Sequence, residues 1–194
     1  RTGQFPALTT GPSGLRFNYA DGSARRSADA TVFWFAMRFN RPDWLLGEAQ
    51  YVRALASRAS RGSAAGQAGR LLPLALLWMQ DTGEQPAIRM PLHWQSESRT
   101  PIAIHRSSWT DPAATFVAVK GGSPSGPHGQ MDTGSFVLDA DGVRWAVDLG
   151  AEGYHGIESR GMNLWSSAQN SDRWTIFRQS NLGHNTLVID GQLQ

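Results

Sequence analysis

Ser135-Phe-Val-Leu138 and Val143-Arg-Trp-Ala-Val-Asp148 stand on either side of Asp139-Ala-Asp-Gly142. The two flanking runs are rich in β-branched and aromatic residues, and an Asp-Gly pair favours a tight hairpin turn. The stretch therefore predicts a pair of antiparallel strands. Thr115-Phe-Val-Ala-Val-Lys120 precedes it and has the same character, with no helical pattern between them. Consecutive strands joined by short turns predict an antiparallel sheet.

The sheet extends outward from this hairpin in both directions along the sequence. Ile102, Ile104 and Arg106 alternate with their neighbours, as a strand with one buried face does. Towards the C-terminus, Thr186-Leu-Val-Ile189 is a further apolar run that we interpret as a strand. A strand this close to the end of the chain needs a partner to cover its edge, so we expect the chain to be a fragment of a longer protein.

Residues 28–79 have a different, helical period. Val32, Phe35, Ala36 and Phe39 follow the spacing of one helical face, and Ser27 or Asp29 can cap the start. Three further features complete this part: a second stripe at Trp44, Tyr51, Val52 and Leu55, a small-residue loop over 61–69, and an apolar run over 71–79 that predicts a buried helix. We therefore predict an α+β chain, with a helical domain over 1–85 and an antiparallel β-sandwich domain over 86–194.

Composition excludes several classes of function. The 194 residues contain no cysteine, which rules out disulfides, thiolate zinc sites and a cysteine nucleophile. The net charge is +2, and the arginines are spread without a basic run, so we expect no nucleic-acid partner. No apolar run is long enough for a membrane span, so we expect no membrane partner either. The glycine-rich segment 121–126 lacks the lysine and helix of a phosphate-binding loop.

Polar residues gather at the predicted strand ends. His128 and Asp132 follow the glycine-proline loop, Asp148 closes the hairpin, and His184 opens the last strand. Two imidazoles and a carboxylate at one rim could bind zinc or perform acid–base chemistry. Each also has a plainer interpretation, since a histidine at a strand edge is often a surface or core residue and Asp148 can cap a turn.

Several ordered motifs together resemble the heparinase II/III-like polysaccharide lyases. They are His128-Gly-Gln-Met-Asp-Thr-Gly-Ser-Phe136, Gly142-Val-Arg-Trp-Ala-Val-Asp-Leu-Gly150, Tyr154, Arg173-Trp174 with Arg178, Gly183-His-Asn-Thr186 and Gln194, with Gly11-Pro-Ser-Gly-Leu-Arg-Phe-Asn-Tyr-Ala-Asp21 upstream. The resemblance implies the last helices of an α/α toroid followed by the first part of an antiparallel β-sandwich. It also implies a carbon–oxygen lyase that cleaves a heparin-, heparan sulfate- or alginate-like polysaccharide by β-elimination, in the periplasm or outside the cell. The alternative is a noncatalytic acidic-glycan-binding protein or an inactive relative.

The resemblance also implies roles for individual residues. The family's usual base and acid are a tyrosine and a histidine of the toroid, which we expect upstream of Arg1, so we expect this chain alone to be inactive. Gln130 stands where the family pattern has a second zinc-binding histidine, and a glutamine oxygen is a poor zinc ligand. The resemblance leaves two alternatives: zinc binds weakly through Asp148 and His184 with water, or the site contains no zinc and is held together by hydrogen bonds. The implied residues are His128 and Tyr154 for catalysis, Asn18, Tyr19, Arg173 and Arg178 for substrate, and Asp148, His184 and Gln130 for zinc.

Overall fold

The computed structural model describes residues 2–59, 71–79, 86–126 and 128–194. The chain divides into two compact units, one formed by Arg1–Thr10 and Arg25–Pro91 and the other by Gly11–Ala24 and Leu92–Gln194. The predicted loop over 61–69 lies outside the described residues. Among the helices that are described, none has the length and hydropathy needed to cross a membrane. The domain assignment to 1–85 and 86–194 stays a prediction.

The first unit is helical. It contains short 3₁₀ turns at Thr2–Gln4, Pro42–Leu45 and Leu72–Leu74 besides its α-helices. The α-helices are α1 (Phe5–Leu8), α2 (Ala30–Arg38), α3 (Glu48–Ala59) and α4 (Ala75–Trp78). That these helices belong to an α/α toroid stays a prediction.

Helix α2 begins where the sequence predicts. Asp29 is its N-cap, and the Asp29 carboxylate accepts a hydrogen bond from the Thr31 amide at 3.0 Å. Val32 and Ala36 are buried as expected, but Phe33 is fully buried and Phe39 is 56% exposed. The prediction for Phe39 was wrong because α2 ends at Arg38, so Phe39 does not continue its buried face.

The apolar run over 71–79 does not form the predicted buried helix. It is divided into a 3₁₀ turn and the single-turn helix α4, which packs inward through Ala75. Leu76 and Leu77 are 76% and 74% exposed. A helix of one turn places consecutive side chains all round its axis, so one of its sides faces away from the unit. By contrast, the second stripe is confirmed at Trp44, Val52 and Leu55, which are buried.

The second unit is built on a five-stranded antiparallel sheet in which each strand pairs with the next along the chain. Alternate side chains of the three central strands fill its buried face, including Ile102, Ile104, Phe116, Ala118 and Val137. The strands are β1 (His93–Gln95), β2 (Ile102–Arg106), β3 (Phe116–Lys120), β4 (Phe136–Ala140) and β5 (Val143–Ala146). The α+β class and the antiparallel sheet agree with the prediction, and the sandwich stays a prediction.

The β4–β5 hairpin turns through Asp141 and Gly142, whose φ angles of 53° and 75° are both in the left-handed region. Two consecutive residues with positive φ are the requirement of a type I′ turn, which suits the twist of paired strands. Asp139 and Ala140, placed in the turn by the sequence, extend β4 instead.

The predicted strand over Thr186–Ile189 is absent, because the described residues 184–194 contain no helix or strand. Side chains take the place of a strand ladder. The Asn185 amide donates to the carbonyls of Phe136 at 3.0 Å and Val147 at 2.8 Å, at the end of the hairpin. Leu187 and Ile189 are 82% and 73% exposed, so the described chain leaves these two apolar side chains largely uncovered.

Two buried carboxylates and a backbone carbonyl hold residues 11–24 in the sheet unit. Asp139 accepts from the Ser13 amide at 3.1 Å and the Ser13 hydroxyl at 2.6 Å. Asp132 accepts from the Ala20 amide at 2.8 Å, and the backbone carbonyl of Asp148 accepts from Asn18 Nδ2 at 3.1 Å. The segment therefore lies along the rim where the polar residues of the sheet unit converge.

Candidate active site

His128 occupies an unusual backbone conformation at the end of the glycine-proline loop. Its φ of 55° is in the left-handed region, which few non-glycine residues occupy. The next residue, Gly129, is fixed on both sides: its amide donates to Gly126 O at 2.9 Å, and its carbonyl accepts from the buried Arg173 guanidinium. The His128 side chain itself is 62% exposed.

Asp21 gathers His128, Tyr154 and Gln130 around one carboxylate, and we call these four residues the Asp21 cluster. His128 Nδ1 lies 2.9 Å from Asp21 Oδ2 and 3.0 Å from the Tyr154 hydroxyl. The Tyr154 hydroxyl donates to Asp21 Oδ2, and Gln130 Nε2 donates to Asp21 Oδ1 at 2.9 Å. A carboxylate can only accept, so these contacts require the proton of His128 to be on Nδ1. Nε2 is then the nitrogen left to meet a ligand.

The position of Tyr154 is set by a small apolar cluster. Tyr154 begins helix α5 (Tyr154–Glu158), and Ile157 of that helix packs with Leu164 and Ile176. The Tyr154 ring stacks nearly parallel to His128 and meets the edge of Trp165, with ring centroids 5.4 Å apart in the second case. Trp165 is 65% exposed, so an aromatic surface continues outward from the cluster.

The environment of Tyr154 keeps its hydroxyl protonated. Burial raises the pKa of Tyr154 to about 12, and the hydrogen bond to Asp21 and the charge of Asp21 act in the same direction. Arg173 opposes these effects by lowering the pKa. At neutral pH, Tyr154 is therefore a proton donor and not a base.

Asp148 and His184 form a second, fully buried pair. His184 Nδ1 lies 2.8 Å from Asp148 Oδ2, and the two side chains are 0% and 1% exposed. Asp148 Oδ1 accepts from the Gly150 amide at 2.8 Å and from Asn18 Nδ2 at 3.4 Å. His184 Nε2 is buried and has no hydrogen-bond partner. Because Asn18 and Asp21 are close in sequence, one short segment contacts both this pair and the Asp21 cluster.

The residues predicted to hold zinc fit that role only in part. Both oxygens of Asp148 already accept hydrogen bonds, whereas His184 Nε2 and the buried Gln130 Oε1 have no partner. Among the residues that the structure describes, no group of three or more His, Cys, Asp or Glu side chains is placed to hold a metal ion. Zinc at this site stays a prediction.

The predicted substrate-binding residues lie around the same rim in different environments. Asn18 is buried against Asp148, and its Oδ1 has no partner. Tyr19 is partly buried, and burial together with the nearby charge of Asp132 raises its pKa. The Arg173 guanidinium is buried and donates to the carbonyls of Leu164 and Gly129, and Arg178 donates to Leu149 O at 2.5 Å. Their roles towards a substrate stay predictions.

Asp21 is the member of the candidate site that sequence reasoning missed. It lies 107 residues before His128 and 133 residues before Tyr154, and neither distance corresponds to a known spacing. Its position at the end of Phe-Asn-Tyr-Ala-Asp gives no chemical signal by itself. Only the folding of residues 11–24 against the sheet brings its carboxylate to the two rings.

The family comparison covers most of the residues of this rim. Residues 102–194, which contain His128, Gln130, Asp148, Tyr154 and His184, match the family described as Heparinase II/III-like, C-terminal. None of the curated proteins matches the chain. This match covers the sheet from β2 onwards together with the loops that carry both clusters. Residues 102–194 of this chain are therefore similar to the heparinase II/III-like C-terminal family.

Proposed function

We propose that the chain is part of a lyase that cleaves a uronate-containing polysaccharide by β-elimination, with the Asp21 cluster on the sheet side of its active site. One observation carries the proposal: a single carboxylate binds both the His128 imidazole and the Tyr154 hydroxyl, and His128 is largely exposed. If the same contacts were buried, they could contribute only to stability, because no ligand could reach them. An exposed imidazole held in a left-handed backbone suits contact with a ligand.

The reaction requires three groups. A base removes the C5 proton beside the uronate carboxylate, and the electron pair of that C–H bond forms the C4–C5 double bond. The C4–O bond breaks, and the leaving oxygen takes its electrons and one proton. Because charge develops on the uronate carboxylate, a donor placed at that carboxylate stabilises the transition state.

His128 and Tyr154 supply two of these groups. His128 is held through Nδ1 by Asp21, and in its imidazolium form it also carries a proton on Nε2, which it can donate to the uronate carboxylate. Tyr154, which is protonated at neutral pH, donates its proton to the leaving oxygen, since a sugar alkoxide is more basic than a phenolate. The base is a further group of the whole protein, for which the family resemblance implies the helical domain.

Exposed Trp165 supports a sugar-binding role for this surface. Its indole is 65% exposed and held by a hydrogen bond from Nε1 to Glu158 Oε1 at 2.8 Å. A fixed aromatic face with a polar edge offers a flat apolar surface to one side of a sugar ring. We propose heparan sulfate-like or alginate-like polymers as the substrates. Polymers of that size are found outside the cytoplasm, so we propose a periplasmic or secreted location.

The second candidate is acidic-glycan binding without chemistry. It is favoured by the Tyr154 hydroxyl, whose proton is already engaged by Asp21. The two candidates share the His128 surface and differ only in the need for Tyr154 as a proton donor.

The test uses the His128→Ala and Tyr154→Phe variants, with His155→Ala and Tyr51→Phe as matched controls outside the cluster. Glycan binding is measured by calorimetry with heparan sulfate and alginate oligosaccharides, and elimination by the absorbance of the unsaturated uronate product, in the full-length protein. We expect His128→Ala to weaken binding and Tyr154→Phe to abolish elimination while binding persists. Glycan binding without elimination in wild type would favour the second candidate. Elimination by Tyr154→Phe at the rate of wild type would refute the role of Tyr154 as a proton donor. Absence of glycan binding in wild type would refute both candidates.

A further inference from the structure

A second pair of imidazoles lies on the sheet, and neither belongs to the rim described above. His93 of edge strand β1 is the register partner of His105 in β2. Both side chains are exposed, with Nδ1 atoms 3.0 Å apart and ring centroids 5.1 Å apart. The sequence alone does not pair them, because they are 12 residues apart on two short strands.

The backbone holds the two rings side by side. Arg106 N donates to Leu92 O at 2.9 Å, so the neighbouring pair 93/105 occupies a non-hydrogen-bonded position of the antiparallel ladder. At such positions the side chains of directly opposite residues are closest. The backbone pairing of β1 and β2 thus places the side chains of His93 and His105 next to each other in the absence of a ligand.

We propose that His93 and His105 form a cross-strand chelating site for a divalent transition-metal ion, with both Nδ1 atoms as ligands. Nitrogen–metal bonds of about 2.0–2.1 Å separate two adjacent ligands by roughly 2.9 Å at a right angle, and by roughly 3.3 Å in a tetrahedron. The observed 3.0 Å matches the right-angled arrangement better. Tetragonal nitrogen and oxygen coordination is typical of Cu²⁺ and Ni²⁺, so these ions are favoured over Zn²⁺.

The site is limited to two protein ligands. No third His, Cys, Asp or Glu joins them among the described residues. Water completes the coordination, so the affinity is modest and follows the order Cu²⁺ over Ni²⁺ and Zn²⁺. The ion would tie edge strand β1 to β2, and the stability of the sheet would increase with the logarithm of the free ion concentration once that concentration exceeds Kd.

The test is calorimetric titration of the purified protein with CuCl₂, NiCl₂ and ZnCl₂, in wild type and in the His93→Ala, His105→Ala and His155→Ala variants. His155 is an exposed histidine on α5 and serves as the matched control. We expect each pair variant to lose one bound ion or to bind it at least about tenfold more weakly, and His155→Ala to bind as wild type does. Any ion bound near His184 is present in all four proteins and is subtracted.

A second measurement is made on wild type, so that a folding defect in a variant cannot be mistaken for loss of the metal site. In NMR spectra titrated with Cu²⁺, a paramagnetic ion that broadens nearby signals, the imidazole ring signals of residues 93 and 105 should broaden together and before those of His155. Binding at wild-type affinity in either single pair variant, or ring signals of residues 93 and 105 that do not broaden in wild type, would overturn the proposal. Equal loss of binding in His155→Ala would overturn it as well.

Discussion

His184 Nδ1 lies 2.8 Å from Asp148 Oδ2, and neither side chain is more than 1% exposed. Burial at this level means that water cannot replace the lost partner if one of the two residues is removed. Asp148 keeps its bonds to the Gly150 amide and to Asn18, so the loss is partial. The pair connects the last described segment of the chain with the end of the hairpin and with residues 11–24.

We therefore expect His184→Ala to lower the free energy of unfolding by about 1–3 kcal/mol, the cost of leaving a buried acceptor without its partner. Urea denaturation followed by tryptophan fluorescence measures the change. His155→Ala, at an exposed site, should stay within about 0.5 kcal/mol of wild type. A His184→Ala protein as stable as this control would show that the buried pair contributes nothing to folding.

Zinc at the same place can be tested by restoring the family pattern. Gln130→His places a second imidazole next to Asp21, where glutamine now donates through Nε2 and leaves Oε1 unpaired. If the Asp148–His184 pair is held by hydrogen bonds, a chelator leaves the melting temperature of wild type unchanged. We expect Gln130→His to raise zinc affinity by about 10–100-fold, measured by competition with a chromogenic chelator. Strong zinc binding in wild type, with loss of stability on chelation, would contradict this expectation.

The sheet was the most predictable part of the fold, because period-2 alternation around Asp141-Gly142 reports both the strands and their turn. The helical stripe at Val32 and Ala36 was also predictable, whereas Leu76 and Leu77 were not. An apolar run indicates burial only if a neighbouring surface covers it, and sequence does not show that surface. The same reason explains Leu187 and Ile189, which are apolar and exposed.

Of the polar residues that the sequence groups at one rim, Asp148 and His184 are in contact, whereas the carboxylate of Asp21 was not predicted. Asp148 and His184 meet, and His128 and Tyr154 meet, but Asp21 joins the second pair from a distant segment. Contacts across more than 100 residues depend on the path of the chain, which local patterns do not encode. Arg173 shows the converse: its sequence position suggests a substrate ligand, yet its guanidinium is buried on backbone carbonyls.

The ionisation of Tyr154 gives a direct test of the Asp21 cluster. Burial, followed by the Asp21 hydrogen bond and charge, raises the pKa of Tyr154 to about 12, against an ordinary value of 10.0. Since the folded-state pKa is the higher one, the stability linked to Tyr154 is complete below about pH 10 and is lost as pH rises towards 12. Ultraviolet titration of phenolate, with Tyr154→Phe as the reference, measures the value. Asp21→Asn should lower it while burial keeps it above 10, and an unchanged pKa in Asp21→Asn would show that the two groups do not interact.

The buried ion pair between Lys120 and Asp132 anchors residues 11–24, and its removal should be costly. Lys120 Nζ donates to Asp132 Oδ1 with side-chain exposures of 3% and 0%, and Asp132 Oδ2 accepts from the Ala20 amide at 2.8 Å. Lys120→Met leaves a buried, unpaired carboxylate, so we expect a loss of about 3–5 kcal/mol in the free energy of unfolding. Adding Asp132→Leu should recover part of this loss, but not the Ala20 bond, so amide hydrogen exchange near Ala20 should stay fast in the double variant. A Lys120→Met loss below about 1 kcal/mol, the level of a surface pair, would show that Asp132 finds solvent or another donor.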